Sequence, residues 1–148
     1  MSKRMLVVVA AVMALLGLHV ASATPPSGNI ARTELAQGTT TEPIYINTEG
    51  AESTFYIQTV TIDPAADSGW HTHPGPEYTI VKTGTMTAQT ATDCPPVTLT
   101  AGQIFFVPGG VSHRAVNNSD APVELYVTYT LPANQPQRAD APDGCQAP

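Results

Sequence analysis

From residue 44 onward, the apolar positions of this chain follow the two-residue period of β-strands. The runs IYIN and FYIQTVTI are rich in β-branched and aromatic residues, which favour strands. The clearest alternation lies in VELYVTYTL, where Val123, Leu125, Val127 and Tyr129 fall on one face. Proline or glycine interrupts nearly every candidate helical window between residues 44 and 131. This pattern predicts short strands and no sustained helix.

Two further stretches each predict a pair of strands. YTIVKTGTMTAQT has a glycine at its middle, where a bend or tight turn fits, and PPVTLTAGQIFFVPGG contains two segments joined at Ala101-Gly102. About eight strands separated by regular turns indicate an all-β sandwich or barrel. The length of 148 residues fits one domain, and no repeat of 20 to 50 residues is present.

The N-terminal segment has the features of a signal peptide. Lys3 and Arg4 precede an apolar run from Met5 to Leu18, and Ala21-Ser22-Ala23 forms a small-residue cleavage site. The alternative, a membrane anchor, is disfavoured because the run is shorter than the ~20 residues needed to span a bilayer. We therefore expect a cleaved signal peptide at 1–23 and a secreted or periplasmic protein without a membrane partner.

The rest of the chain divides into three expected segments. A leader at 24–43 precedes a β-barrel at 44–131, and a Pro-rich tail occupies 132–148. The full chain has a net charge of −6, which falls to −8 once Lys3 and Arg4 are removed. This acidity argues against nucleic acid and anionic membranes as partners, because both would be repelled.

The cysteine content agrees with export. Cys94 and Cys145 are the two cysteines of the chain, and an oxidising compartment favours their pairing. A disulfide would close a loop of roughly 50 residues, for which the chain-entropy account gives about 4 kcal/mol of stabilisation. It would also fix the tail against the barrel. The alternative is a pair of free thiols.

Two histidines separated by one residue are the first candidate for a functional site. In a strand, His71 and His73 point to the same face, with Cα atoms about 6.6 Å apart. Pro74-Gly75-Pro76 then predicts a turn that returns Glu77 to the same place. Nitrogen and carboxylate ligands suit Fe, Mn, Ni, Cu or Zn. Two unrelated surface histidines are the alternative at this point.

A second segment adds His113, and with it a resemblance to a known family. The run from Gly102 to Asn117 resembles the second signature motif of the cupins, whose positions are matched here by Gly102, Pro108, Gly110, His113 and Asn117. The first cupin motif is similar to the earlier stretch, with matches at His71, His73, Glu77 and Gly84. One position departs from it, since Ala65 occupies a place where the motif usually has glycine.

The resemblance covers about residues 55–131 and implies a jelly-roll β-barrel. It also implies one divalent transition metal (Fe, Mn, Ni, Cu or Zn) held by His71, His73, Glu77 and His113. The alternative for His113 is a core histidine bonded to a neighbour. By strand alternation Trp70 and Arg114 should face away from the metal, and one of Phe105 and Phe106 should line the interior.

Several functions are compatible with such a site. The first is an oxidoreductase similar to small cupin dioxygenases that act on an enol, a phenol or a dione. Glu77 is then the candidate catalytic residue, able to act as a base as well as a ligand. One alternative is a metal-dependent lyase or isomerase. The other is a non-catalytic module that binds a small ligand in the periplasm. The family also implies a possible homodimer.

Overall fold

The computed structural model describes residues 33–40, 43–48 and 52–145. The expected signal peptide lies outside the described residues. From Glu34 onward these residues belong to one compact unit. Among the residues that the structure describes, no helix is long and apolar enough to cross a membrane.

Nine strands make up the described part of the fold. In chain order they are β1 (Ser53–Ile62), β2 (His71–Thr72), β3 (Glu77–Thr83), β4 (Thr85–Thr90), β5 (Val97–Thr100), β6 (Ile104–Val107), β7 (His113–Val116), β8 (Val123–Pro132) and β9 (Ala139–Asp140). They form two antiparallel sheets, one in the order β1-β8-β3-β6 and the other in the order β5-β4-β7-β2-β9. The predicted all-β class is confirmed.

The apolar core lies between these two sheets. On β8 the predicted alternation is observed, because Val123, Leu125 and Val127 are buried while the residues between them are partly exposed. The core cluster takes residues from both sheets: Ile62, Val81, Met86, Ala88, Leu99, Val123, Leu125 and Val127. Burial of these side chains holds the sheets face to face.

The predicted strand IYIN is wrong. Residues 43–48 have no regular secondary structure, and Tyr45 and Ile46 are 88% and 51% exposed. Their β-branched and aromatic composition favours a strand only where a neighbouring strand can pair with it and bury one face. Conversely, the tail contains the short strand β9, which pairs with β2 and which its Pro-rich sequence did not indicate.

Ala65 takes the left-handed backbone conformation, with φ of 62°. It occupies the turn after β1, where its N–H donates to the backbone carbonyl of Asn117 at 3.0 Å. The fully buried side-chain amide of Asn117 completes this junction by donating to the carbonyls of Ile62 and Ala121. The turn therefore has the geometry for which the motif uses glycine, and alanine adopts it at some cost.

We expect the Ala65→Gly variant to be more stable than the wild type. Relief of the left-handed conformation outweighs the greater backbone freedom that glycine gives the unfolded chain, leaving a gain of roughly 0.5–1 kcal/mol. Thermal unfolding should then shift upward by about 1–4 °C. Ala66→Gly is the matched control, because Ala66 packs on the core without a positive φ. A loss of stability in both variants would contradict the expectation.

Candidate metal centre

The four predicted ligand residues converge between the two sheets. His71 on β2 lies directly opposite His113 on β7, and Glu77 begins β3 in the other sheet. His73 comes just after β2. All four side chains are buried, and one donor atom from each lies within 4.8 Å of the others. The arrangement joins three imidazoles and one carboxylate in a single buried cluster.

The turn between His73 and Glu77 carries the chain from one sheet to the other. Pro74-Gly75-Pro76 prevents the strand from continuing, since proline lacks the N–H needed for pairing. At Gly75 a side chain has no room, because a Cβ there would overlap the carbonyl oxygen of Thr130. This close approach brings Glu77 back to face the histidines, as the sequence predicts.

Backbone carbonyls fix the tautomer of all three histidines. The Nδ1 atoms of His71, His73 and His113 lie 2.8, 2.5 and 3.0 Å from the carbonyl oxygens of Gly69, Gln137 and Val111. A carbonyl oxygen only accepts hydrogen bonds, so each Nδ1 carries the hydrogen. In a neutral imidazole the Nε2 atom then carries no hydrogen. Its lone pair can bind a metal ion.

The carboxylate of Glu77 completes the cluster. Its Oε2 atom lies 3.0 Å from Nε2 of His73 and 3.2 Å from Nε2 of His113. Its Oε1 atom accepts a hydrogen bond of 2.6 Å from the hydroxyl of Thr79. Burial alone would raise the pKa of Glu77, but its contacts with His113 and His73 and the hydrogen bond from Thr79 lower it well below its usual range. The group is therefore ionised at neutral pH.

A cation at the centre fits these donors. Burial, assisted by the charges of neighbouring histidines and Arg138, lowers the pKa of His71 to about 4, so this imidazole is neutral at pH 7. With neutral imidazoles and no cation, the Nε2 lone pairs of His73 and His113 would face the Glu77 carboxylate. Ligands placed 2.0–2.2 Å from a transition metal lie about 3–4 Å from one another, so only a small contraction is needed. Three imidazoles and one carboxylate suit a first-row divalent metal.

A cavity of about 150 Å³ adjoins the cluster. Apolar side chains form much of its wall, including Val60, Ile62, Met86, Phe105, Leu125 and Val127. Phe105 is thus the interior one of the two phenylalanines, while Phe106 packs against Tyr78 with ring centroids 5.1 Å apart. Trp70 and Arg114 interact with each other, the guanidinium lying 5.7 Å from the indole centroid, and neither lines the cavity.

Tyr129 also lines this cavity. Its ring lies 4.6 Å from that of His73. Burial and the negative charge of Glu77 raise the pKa of Tyr129. The phenol therefore stays protonated over the physiological range, and its hydroxyl can donate a hydrogen bond.

The C-terminal tail supplies parts of the site that the sequence did not reveal. The Gln137 carbonyl accepts the hydrogen bond from His73, and Arg138 lines the cavity. A disulfide between Cys94 and Cys145 holds the end of the tail against the loop between β4 and β5. Thr79 was also missed, although its position two residues after Glu77 on the same strand face was a usable signal.

Comparison with known proteins agrees with this geometry. The profile of the Cupin domain family matches residues 58–129, a range that contains all four clustered residues. No curated protein matches the chain significantly.

Several solved structures share the fold. A DMSP lyase, DddQ, from Ruegeria pomeroyi DSS-3 is 20% identical with a TM-score of 0.52, over 58% of this chain and 42% of the lyase. An uncharacterised conserved protein with a double-stranded β-helix domain from Klebsiella pneumoniae is 22% identical with a TM-score of 0.51, over 73% and 91% of the two chains. Bacillus subtilis oxalate decarboxylase, with Mn(II) centres, is 20% identical with a TM-score of 0.52, over 59% and 24%.

At these identities the likeness concerns the fold. The aligned region spans less than half the length of the lyase and about a quarter of the decarboxylase. The family profile, the double-stranded β-helix relatives and the two packed antiparallel sheets lead to one assignment. Residues 58–129 therefore form a small cupin-type domain.

Proposed function

We propose that His71, His73, Glu77 and His113 bind one divalent transition metal and that the protein is a metal-dependent enzyme. The observation that carries this proposal is the fixed tautomer of the three histidines, each with Nδ1 bonded to a carbonyl. In neutral imidazoles this arrangement directs the Nε2 lone pairs of His73 and His113 at the buried carboxylate of Glu77, and a cation shared between these groups would stabilise it. Fe, Mn, Ni, Cu and Zn are the candidate metals, and elemental analysis would identify the one that is bound.

The bound metal would supply Lewis-acid character and open coordination positions for a substrate oxygen or O₂. Glu77 would accept a proton from an acidic substrate hydroxyl, and its carboxylate lies in the wall of the cavity where that hydroxyl would bind. Tyr129 keeps its proton and orients a polar group of the substrate through a hydrogen bond. The apolar side chains around the cavity exclude water from the reacting atoms.

We infer that the reaction is a dioxygenase-like oxidation of a small enol, phenol or dione. The cavity of about 150 Å³ supports a small substrate, since a cavity of about this size holds a six-membered ring. A lyase or isomerase reaction uses the same metal and base without oxygen. The fold likeness to a DMSP lyase and to oxalate decarboxylase supports this second candidate at the level of the scaffold alone. A non-catalytic ligand-binding module is the third candidate.

Elemental analysis followed by oxygen-uptake measurement tests this proposal. The protein is purified without chelators or affinity metals and assayed with pentane-2,4-dione and catechol as probes. We expect near-stoichiometric metal and oxygen consumption equal to substrate loss. Substrate turnover in the absence of oxygen would favour the lyase or isomerase. Binding without turnover would favour the binding module, and a protein that takes up no metal would overturn the proposal.

We further propose export to an oxidising compartment and a homodimeric state. The disulfide between Cys94 and Cys145 supports the first, since such bonds persist outside the reducing cytosol. For the second, Phe55 and Ile57 are 72% and 76% exposed on β1, the edge strand of its sheet, and a second copy could cover them. N-terminal sequencing and sedimentation equilibrium of the exported protein test the two statements.

A further inference from the structure

The cavity beside the candidate metal centre contains one cationic side chain. The described residues include three lysine and arginine side chains, Lys82, Arg114 and Arg138. Lys82 pairs with Glu124 at 2.9 Å and Arg114 with Asp67 at 3.4 Å, and neither lines the cavity. Arg138, from the C-terminal tail, forms part of its wall together with His71, Glu77, His113 and Tyr129. A positive charge therefore stands at the place where a ligand would bind.

Among the described residues, the hydrogen bonds that hold Arg138 in place use its Nε and Nη2 atoms. Its Nη2 atom donates to the carbonyl of Ser68 at 2.8 Å and to Oδ1 of Asp140 at 2.9 Å. Its Nε atom donates to the same Asp140 oxygen at 3.2 Å. None of these three bonds uses Nη1. Asp140 is 89% exposed, so water screens its carboxylate and it only weakly offsets the charge of Arg138.

The tail backbone fixes this position further. β9 pairs with β2, with Asp140 opposite His71 and Ala139 opposite Thr72. The tail continues from there to the disulfide at Cys145. Arg138 therefore has a fixed relation to the histidine cluster, which is what a recognition residue requires.

We propose that Arg138 makes the cavity selective for small anionic ligands, with a carboxylate on the guanidinium and a second oxygen directed at the four-residue cluster. This inference rests on the proposed metal function, because a divalent cation, Glu77 and Arg138 together leave the cavity with a net positive charge. Arginine offers planar paired donors that match a carboxylate. The chain as a whole is acidic, with a net charge of −6, so attraction of an anion depends on such a local charge. The cavity volume limits the ligand to about the size of a small substituted ring, roughly six to eight non-hydrogen atoms.

The test compares two ligands of equal size and different charge. Protein loaded with Co²⁺ is titrated with lactate and with lactamide, and binding is followed by the visible cobalt spectrum and by calorimetry. We expect the wild type to bind lactate at least about tenfold more tightly than lactamide. Arg138→Gln should weaken lactate binding about tenfold and leave lactamide binding unchanged. Arg138→Lys should recover part of the difference, because the charge returns without the paired donors.

Two controls separate this inference from the proposed function. Arg114→Gln removes an arginine outside the cavity and should leave both affinities unchanged. Cobalt content is measured on every sample, and a thiol assay verifies that the disulfide remains closed in the Arg138 variants. If the protein is fully loaded with cobalt but binds the two ligands equally, or binds no lactate, the anion selectivity is overturned. The proposed metal function then still stands. A wild type that retains no cobalt overturns the metal function and this inference with it.

Discussion

In elemental analysis, the His71→Ala and His113→Ala variants should each retain less than about one tenth of the metal found in the wild-type protein. Each substitution removes one imidazole from a cluster of four donors. Loss of a group that merely orients a ligand already costs 10–100-fold in affinity, so loss of the ligand itself costs at least as much. Thr72→Ala is the matched control, since Thr72 lies between His71 and His73 and is not part of the cluster.

A stability measurement gives this prediction a second readout. Metal at 100 times its dissociation constant stabilises the wild type by about 2.7 kcal/mol. For a chain of this length that raises the melting temperature by about 5–10 °C. The shift should be absent in both histidine variants, with the β-sheet circular dichroism retained. Full metal occupancy in both variants would remove the case for these residues as ligands.

The Cys94→Ser/Cys145→Ser double variant should lose stability and metal affinity together. The disulfide spans 51 residues of sequence, for which the chain-entropy account gives about 4 kcal/mol. Release of the tail also frees the Gln137 carbonyl that orients His73, and weakening of such a contact lowers metal affinity about tenfold or more. Urea unfolding and competition with a metal chelator measure the two effects.

Reduction of the wild type provides the matched comparison. A thiol reductant should reproduce both losses in the wild type and have no effect on the double variant, which has no bond to break. Metal binding is measured after the reductant is removed under argon, because free thiols compete for metals. An unchanged urea midpoint and unchanged metal affinity in the double variant would show that the tail is held without the disulfide.

The histidine cluster was predictable because its information is local. His71, His73 and Glu77 lie within seven residues of one another, and a two-residue strand period with one proline-bounded turn suffices to bring them together. His113 came from a second spacing that resembles a family motif. Its position opposite His71 on a neighbouring strand depends on the pairing of β2 with β7, which only the fold shows.

Arg138 and the failed strand near Tyr45 show where local information ends. The segment around Tyr45 has strand composition, yet residues 43–48 have no regular secondary structure, so composition alone does not decide its state. Arg138 was missed for the opposite reason: the sequence of its tail has neither apolar periodicity nor a motif, yet the structure gives it a fixed position. Pairing of two residues with β2 and a distant disulfide position it, and both are long-range contacts that a single sequence does not specify.

The buried amide of Asn117 has a consequence for producing the protein in a eukaryotic secretory pathway. Asn117-Asn118-Ser119 is an acceptor sequence for N-linked glycosylation. The Asn117 nitrogen that would carry the sugar donates two hydrogen bonds inside the fold, and its oxygen accepts from Ser119. A glycan attached there before folding would prevent the junction between residues 62–66 and 117–121 from closing. Secretion from such a host would therefore yield native protein from the unmodified chains alone, whereas a bacterial host avoids the competition.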